Sequence, residues 1–278
     1  MSIALNSPSE PVKIAGDMAL GSQISITAPD GATIHVGGSL LHSHTNEANL
    51  ALAKTSLHFD GAGTGLHPQQ LEVGGVDVNV LTQLLPHDNF SYNDITVGQA
   101  DQRTVFYFVD LVNNGNRAGN PNEAIYLFGE DLDDSLRVLG DSFVVIHGLN
   151  VYAKHEGELI NLQSLFGPDE KYIPFDDGML SRIPIGDVNG DGVVDTADVA
   201  AFVLALTNPQ AYQDQYGLEL LLIGDINGDG VFDTADVAPF VQLLVGGGSQ
   251  SVPEPGSLAL LGLSGLLWLR RRPVRVKP

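Results

Sequence analysis

The sequence has no cysteine, a single tryptophan and few basic residues. Without cysteine there is no disulfide framework, and cysteine usage does not decide the compartment. Only 13 Lys and Arg stand against 34 Asp and Glu, which gives a formal net charge of −21. Five of those 13 basic residues fall in the last nine positions, so the rest of the chain is more acidic still. The chain lacks the basic face that phosphate binding needs, and we predict no nucleic-acid partner.

Two further features are missing. The N-terminus, MSIALNSPSEPVKIAG, has neither a basic n-region nor a long apolar h-region, so no signal peptide is visible in the sequence as written. The chain also has no nucleophile motif, phosphate loop or dinucleotide fingerprint, and we predict no catalytic residue. The lone Trp268 lies near the C-terminus, and the scarcity of aromatic residues disfavours stacking on sugar rings.

The first 166 residues contain short β-branched or alternating runs separated by turns rich in Gly, Asn and Asp. Examples are Ile24–Thr27, Thr33–Val36, Ser56–Phe59 and Thr104–Val112. This pattern predicts a mainly β domain over 1–166. Loosely repeated short phrases favour a β-solenoid-like sheet, and a β-sandwich is the alternative.

Changes in composition divide the remainder of the chain. Gly-Pro and Asp-Gly pairs predict a linker over 167–185, after which a new module occupies 186–245. A run of Gly and Ser predicts a second linker over 246–251. Residues 252–278 form a separate C-terminal segment.

The module contains an internal duplication. Residues 187–206 and 225–244 match at 15 of 20 positions, with a constant offset of 38. Each copy begins with a loop that carries oxygen donors at positions 1, 3, 5, 9 and 12 and a backbone carbonyl at position 7, with glycine at position 6. The predicted ligands are Asp187, Asn189, Asp191, Val193, Asp195 and Asp198 in the first loop, and Asp225, Asn227, Asp229, Val231, Asp233 and Asp236 in the second.

This set of donors favours calcium. Calcium takes about 6–8 oxygen ligands in a flexible geometry, whereas zinc and copper prefer nitrogen or sulfur, and neither loop contains His or Cys. We therefore predict two bound calcium ions. Because the carboxylates repel one another, we expect the loops to be loose until the ions bind.

Position 12 of each loop is Asp rather than the Glu of an EF-hand, and no clear helix precedes the first loop. With a helix predicted after each loop, residues 186–245 resemble a type I dockerin. The resemblance implies a small α-helical EF-hand-like module that docks a cohesin-like protein, with partner choice shaped by loop positions 10 and 11. Those residues are Thr196, Ala197, Thr234 and Ala235. Because they are identical in the two copies, two docking orientations are expected.

Each predicted helix also carries an apolar stripe. Apolar residues recur at i, i+3, i+4 and i+7 in both copies, which predicts that the two helices pack against each other. They are Val199, Phe202, Val203 and Leu206 in the first copy, and Val237, Phe240, Val241 and Leu244 in the second.

The C-terminal segment has three parts in a fixed order. A Pro-Glu-Pro motif precedes an apolar stretch over 257–269, which is followed by three arginines. As a helix that stretch spans about 20 Å, against about 30 Å of hydrocarbon, so we predict a short hydrophobic helix that inserts transiently. The order resembles a PEP-CTERM sorting signal, which implies cleavage by an exosortase near the motif. The residues are Pro253, Glu254, Pro255, Arg270, Arg271 and Arg272.

An ordinary single-span anchor is the alternative to a sorting signal. Both interpretations keep the basic end in the cytoplasm and place the body outside the membrane. We therefore predict export to the cell envelope, the cell surface or the extracellular matrix.

Three functional hypotheses follow. The composition favours a non-catalytic, structural or matrix-associated surface protein with a calcium-binding docking module. Because dockerins often accompany glycan-degrading domains, the second is a glycan-active hydrolase or lyase, or a protein that binds extracellular polysaccharide. The third is a calcium-dependent adhesin.

Overall fold

A computed structural model describes residues 2–5, 7–79, 89–117 and 122–246. The described residues are rich in β-strands and contain a few short helices, as the sequence predicts. The strands are β1 (Ser2–Ala4), β2 (Val12–Ile14), β3 (Met18–Leu20), β4 (Ser25–Thr27), β5 (Thr33–Val36), β6 (Leu40–His42), β7 (Leu50–Ala51), β8 (Ser56–Phe59), β9 (Gln69–Glu72), β10 (Asp94–Val97), β11 (Val105–Val109), β12 (Ala124–Leu127), β13 (Leu136–Val138), β14 (Phe143–Val145), β15 (Asn150–His155), β16 (Glu158–Asn161), β17 (Tyr172–Phe175) and β18 (Gly178–Ser181). The α-helices are α1 (Leu132–Ser135), α2 (Asp198–Thr207), α3 (Pro209–Tyr216), α4 (Leu220–Ile223) and α5 (Val237–Val245).

Neighbouring strands in the main sheets lie one circuit of the chain apart. The sheet orders are β1-β4-β7, β13-β10-β8-β5-β2 and β17-β18-β14-β11-β9-β6-β3. All pairs in these sheets are parallel except the β17–β18 hairpin. Parallel strands need a long return connection, and here the other sheets of the circuit provide it. Such ladders do not fit the alternative of a β-sandwich, whose sheets are antiparallel.

A fourth, smaller sheet has the order β12-β15-β16. Its first pair is parallel and its second antiparallel. Tyr126 and Tyr152 lie on the neighbouring strands β12 and β15, and their rings stack with centroids 4.7 Å apart.

Each circuit of the chain through these parallel sheets is called a coil here. The interior of the coils is filled by rows of side chains that stack in register from one coil to the next. Because side chains alternate along a strand, every second residue faces the interior, and a slip of one residue would expose the whole row. Two fully buried rows, in register, are Ile34, Leu57, Ile95 and Leu136, and Val36, Phe59, Val97 and Val138. The corner after β8 needs glycine, since a Cβ on Gly61 would lie 1.9 Å from the Gly37 carbonyl oxygen.

The segment predicted as a linker, 167–185, contains β17 and β18 in the structure. Strand β18 extends the third sheet by pairing in parallel with β14. Pro174 suggested a break in structure, but it lies in β17, which is an edge strand where a missing N–H is tolerated. The two strands of the segment therefore belong to the sheet, and the residues after β18 lead directly into the duplicated module.

The duplicated module packs on the third sheet. A second hydrophobic core joins Phe143 and Val145 of β14 to Phe202 of α2, Tyr212 of α3 and Phe240 of α5. The hydroxyl of Tyr107, on β11, also accepts a hydrogen bond from the Ile185 backbone N–H at 2.8 Å. The coils and the module thus share buried surface.

In the part of the chain that the structure describes, no helix is both long and apolar enough to cross a membrane. The hydrophobic helix predicted over 257–269 lies outside the described residues, as do the sorting motif and all of the 246–251 linker except Gly246.

Candidate metal centre

Asp187 organises the first loop from its centre. Its side chain is fully buried, and its Oδ1 accepts hydrogen bonds from the backbone N–H groups of Gly190 at 2.8 Å and Asp191 at 3.1 Å. Its Oδ2 accepts a third from Gly192 at 2.8 Å. This one carboxylate therefore fixes the backbone of the five residues that follow it, 188–192.

Asp198 closes the same loop at position 12. It is also fully buried and is the first residue of α2. Its Oδ1 accepts from the Asn189 N–H and its Oδ2 from the Asp195 N–H, both at 2.9 Å. The two ends of the loop are thus joined through side-chain carboxylates rather than through a strand ladder.

The second loop repeats this arrangement. Asp225 accepts from the N–H groups of Gly228 at 2.9 Å, Asp229 at 3.1 Å and Gly230 at 3.0 Å. Asp236 accepts from Asn227 at 3.1 Å, as Asp198 does from Asn189. The internal duplication seen in the sequence is therefore a duplication of geometry.

The glycines predicted at position 6 have the backbone conformation that the turn requires. Gly192 has φ of +97° and Gly230 has φ of +87°, which L side chains rarely adopt. This turn brings the N–H of position 6 onto the carboxylate of position 1, so a side chain at Gly192 or Gly230 would strain the loop.

Burial and mutual repulsion act on the inner carboxylates. The pKa of Asp187 is raised to about 6, chiefly by burial and in part by the charges of Asp198 and Asp191, against the lowering effect of the backbone donors. Burial also raises the pKa values of Asp198 and Asp236. Carboxylates in this position favour a nearby positive charge.

The outer donors are exposed and hydrogen-bonded locally. Asp191 accepts from the Asn189 side-chain amide at 3.0 Å, and Asp195 accepts from the Ala197 N–H at 2.6 Å. Neither loop brings three acidic side chains within 4.8 Å of one another in the described residues. A bound ion would draw the exposed Asp191 and Asp195 towards the buried pair.

The donor chemistry of the loops fits calcium. Carboxylates, an amide and a backbone carbonyl are hard oxygen ligands, and the residues at positions 7 and 9 are exposed at the mouth of each loop. A bound ion would supply positive charge that balances the loop carboxylates. The protein's part is to hold Asp187 and Asp198, or Asp225 and Asp236, in place through backbone N–H groups.

The helices of the two copies meet through one aromatic pair. Phe202 and Phe240 stack with ring centroids 4.2 Å apart and an interplanar angle of 4°. The predicted packing stripe is correct for these two residues but wrong for four valines, which are 39–51% exposed: Val199, Val203, Val237 and Val241. The sheet occupies the other side of each helix, so the valines on the outer face stay at the surface.

The predicted docking residues also lie at the surface. Thr196, Ala197, Thr234 and Ala235 are all exposed, directly before the buried Asp198 and Asp236. They therefore adjoin the exposed valines of their own helix. The two copies present two similar faces of small polar and apolar residues.

A second acidic group was not predicted from the sequence. Glu72, Asp110 and Glu123 offer oxygen atoms that all lie within 4.8 Å of one another. They meet because Glu72 lies opposite Val109 in the β9–β11 ladder, so that Asp110 follows at the same end of the sheet. The sequence spacing contains no signal of this register.

In a comparison with known protein families, residues 251–272 match the PEP-CTERM protein-sorting motif. Neither curated proteins nor solved structures yield a match to the chain. The motif implies an exported protein that is sorted to the cell surface by an exosortase. The prediction of export and of exosortase as a partner is confirmed to that extent.

Proposed function

We propose that this surface-sorted protein binds two calcium ions through 187–198 and 225–236, and that the loaded module docks a partner protein. The observation that carries the proposal is the repeated pair of buried aspartates, Asp187 with Asp198 and Asp225 with Asp236. Burying a carboxylate is costly even where backbone N–H groups donate to it, and the recurrence of the buried pair in both copies favours a ligand common to the two loops.

Calcium is the ion that the donors favour. All predicted ligand atoms are oxygens, and the outer donors sit on loop segments that can adjust to six or more ligands at flexible geometry. Magnesium demands a tighter octahedral geometry and retains its waters. A loop whose outer donors can move does not impose that geometry.

The docking face that we propose consists of Thr196, Ala197 and their counterparts Thr234 and Ala235, with the exposed valines of α2 and α5. The proposal is supported by the exposure of equivalent apolar side chains in both copies, since Val203 is 51% and Val241 49% exposed. Exposed apolar side chains next to small polar ones suit a protein partner. A cohesin-like domain is the partner that the dockerin resemblance implies.

The coils serve as a non-catalytic platform in this proposal. Parallel ladders that stack circuit on circuit support the β-solenoid interpretation of 1–166, and solenoids offer extended surfaces. Packed against them, the calcium module becomes a fixed part of a surface or matrix protein.

Calcium binding is tested on the full chain after treatment with EDTA. Titration calorimetry should detect binding in the loops, and calcium at about 100 times its dissociation constant should stabilise the fold by about 2.7 kcal/mol for each site. Asp187→Ala combined with Asp225→Ala should remove both loop ions. The matched control is Asp133→Ala with Asp214→Ala, two exposed aspartates away from the loops. Loop variants that bind as many ions as the wild-type chain would disprove the proposal.

Docking is tested separately with a purified cohesin domain as probe. Binding that needs calcium and is lost in Thr196→Asp with Thr234→Asp supports the docking proposal. Calcium binding without any docking would leave the module as a structural element and would remove the cohesin-like partner.

A further inference from the structure

The acidic group in the coils lies where β9 and β11 end and β12 begins. Glu72 ends β9, Asp110 follows β11, and Glu123 precedes β12. Glu72 and Glu123 are each 1% exposed, and the Asp110 side chain is 2% exposed. Three carboxyl groups are thus removed from water within 4.8 Å of one another.

One cation reaches the group in the described structure. Arg117 donates from Nε to Asp110 Oδ2 at 3.2 Å and from Nη2 to Asp110 Oδ1 at 2.7 Å. Asp110 Oδ2 also accepts the Glu123 backbone N–H at 2.8 Å. The guanidinium therefore forms an ion pair with Asp110, and neither glutamate is paired with a cation in the described structure.

Backbone donors reach Glu72 but satisfy Glu123 only in part. Glu72 accepts from the N–H groups of Leu111 at 3.1 Å and Val112 at 2.8 Å. Glu123 Oε1 accepts from the Asn116 N–H at 2.9 Å, whereas Glu123 Oε2 is buried with no hydrogen-bond partner. A buried carboxylate oxygen without a hydrogen-bond partner, beside two further carboxylates, is available to coordinate a cation.

A second orphaned group lies in the same neighbourhood. The hydroxyl of Tyr92 is buried and has no hydrogen-bond partner, and the residue is 1% exposed. Burial raises the pKa of Tyr92, and the negative charge of Glu72 raises it further, which puts the hydroxyl within electrostatic range of the acidic group. Both orphaned oxygens are hard donors.

Charge balance points in the same direction. When all three carboxyl groups are ionised, the one guanidinium leaves two negative charges in excess, and burying them is expensive. A single divalent cation would supply the missing charge and the missing partner.

We propose that Glu72, Asp110 and Glu123 form an additional site for a divalent cation, of the oxygen-liganded kind that calcium occupies. The site lies in the coils and is independent of the duplicated loops. Its donors are oxygens alone, which disfavours zinc and copper. The ion would tie the end of β9 to the connections around β12 and so hold adjacent circuits together.

The test uses the full chain with Asp187→Ala and Asp225→Ala, which removes the proposed loop sites. Calcium chloride is titrated into the EDTA-treated protein, and bound calcium is counted. We expect three ions on the wild-type chain, one on this double variant, and none when Glu123→Gln is added. A double variant that binds no calcium overturns the proposal, as does a Glu123→Gln variant that still binds one ion.

Two controls keep the outcome decisive. Glu158→Gln alters an exposed glutamate on β16 and should leave the single ion in place. If Glu123→Gln fails to fold, terbium replaces calcium on the double variant, with Tyr92→Phe as the comparison. Sensitised terbium emission should drop strongly in Tyr92→Phe, and unchanged emission places the ion elsewhere and overturns the proposal.

The result also separates this proposal from that of the loops. A wild-type chain that binds one ion, retained when the loop aspartates are replaced, supports the coil site and disproves the loop sites. A wild-type chain that binds two ions, both lost in the double variant, supports the loops and disproves the coil site.

Discussion

The two loops of the module are near-copies in sequence, but among the described residues only the second is in ionic contact with a residue of the coils. Arg103 donates from Nη1 to Asp225 Oδ2 at 3.0 Å, and its Nη2 lies 3.4 Å from the Leu221 carbonyl oxygen. In the described structure, no cation pairs with Asp187, the equivalent residue of the first loop. A duplicated sequence therefore does not give duplicated sites once each copy packs against different surroundings.

Counting acceptors shows what this difference means for an ion. A carboxylate offers about four lone-pair sites. Asp225 accepts three backbone N–H groups and Arg103, whereas Asp187 accepts three backbone N–H groups alone. Asp187 keeps an acceptor site for an ion, while Asp225 must release Arg103 first. We expect the first loop to bind calcium more tightly.

The largest effect is expected where the two copies meet. Phe202 and Phe240 stack on each other, but Phe202 also makes an edge-on contact with Phe232 at 5.1 Å. Each change to Ala should lower the free energy of unfolding by about 3–5 kcal/mol. Phe202→Ala should cost about 0.5–1.5 kcal/mol more than Phe240→Ala, because it loses the additional ring contact. Urea unfolding in EDTA measures both, and an equal loss would show that the centre of the module is symmetric.

The next effect compares the anchoring aspartates without calcium. Asp187→Ala and Asp225→Ala each leave three backbone N–H groups without their acceptor. Only Asp225→Ala also breaks an ion pair, in which Arg103 is 25% exposed and Asp225 is fully buried. Asp225→Ala should therefore lower the free energy of unfolding by about 1–2 kcal/mol more than Asp187→Ala. Denaturant unfolding in EDTA measures the difference, and a larger loss for Asp187→Ala would reverse the comparison.

These contrasts mark the limit of what the sequence could predict. The loops were recognisable because their donors and glycines are local, with Gly192 and Gly230 at the turn that only glycine adopts easily. The Arg103–Asp225 pair joins residues 122 positions apart and depends on how α4 and the second loop sit on the sheet. The local sequence around either residue contains no signal that predicts this pair.

The same limit applies to the coils. Short alternating runs such as Thr33–Val36 and Ser56–Phe59 predicted strands, and both are strands. Pro174 and Gly178 looked like linker residues because propensity ignores position in a sheet. One lies on an edge strand, and a Cβ on the other would lie 2.4 Å from the Ser142 carbonyl oxygen. Close packing, which no local pattern encodes, decided their conformation.

Arg103→Gln tests the competition between the guanidinium and calcium directly. In the Asp187→Ala background only the second loop contributes a module ion, and removing Arg103 should tighten its calcium affinity about tenfold, or about 1.4 kcal/mol. Titration calorimetry measures the change. Arg137→Gln is the matched control, because it removes the same charge from an exposed position on β13 and should leave the affinity unchanged. Weaker binding after Arg103→Gln would mean that the arginine supports the loop rather than competing for it.

The smallest effect on stability is expected on the outer faces of the helices. Val203 and Val241 are equivalent and about equally exposed, so Val203→Ser and Val241→Ser should each change the free energy of unfolding by no more than about 0.5 kcal/mol. Their effect on docking should follow a different rule. If the two faces are interchangeable, either single change leaves binding of a cohesin domain intact and only the double change abolishes it. If one single change alone abolishes binding, the partner uses one face, and the asymmetry imposed by the coils extends from the ion sites to the docking surface.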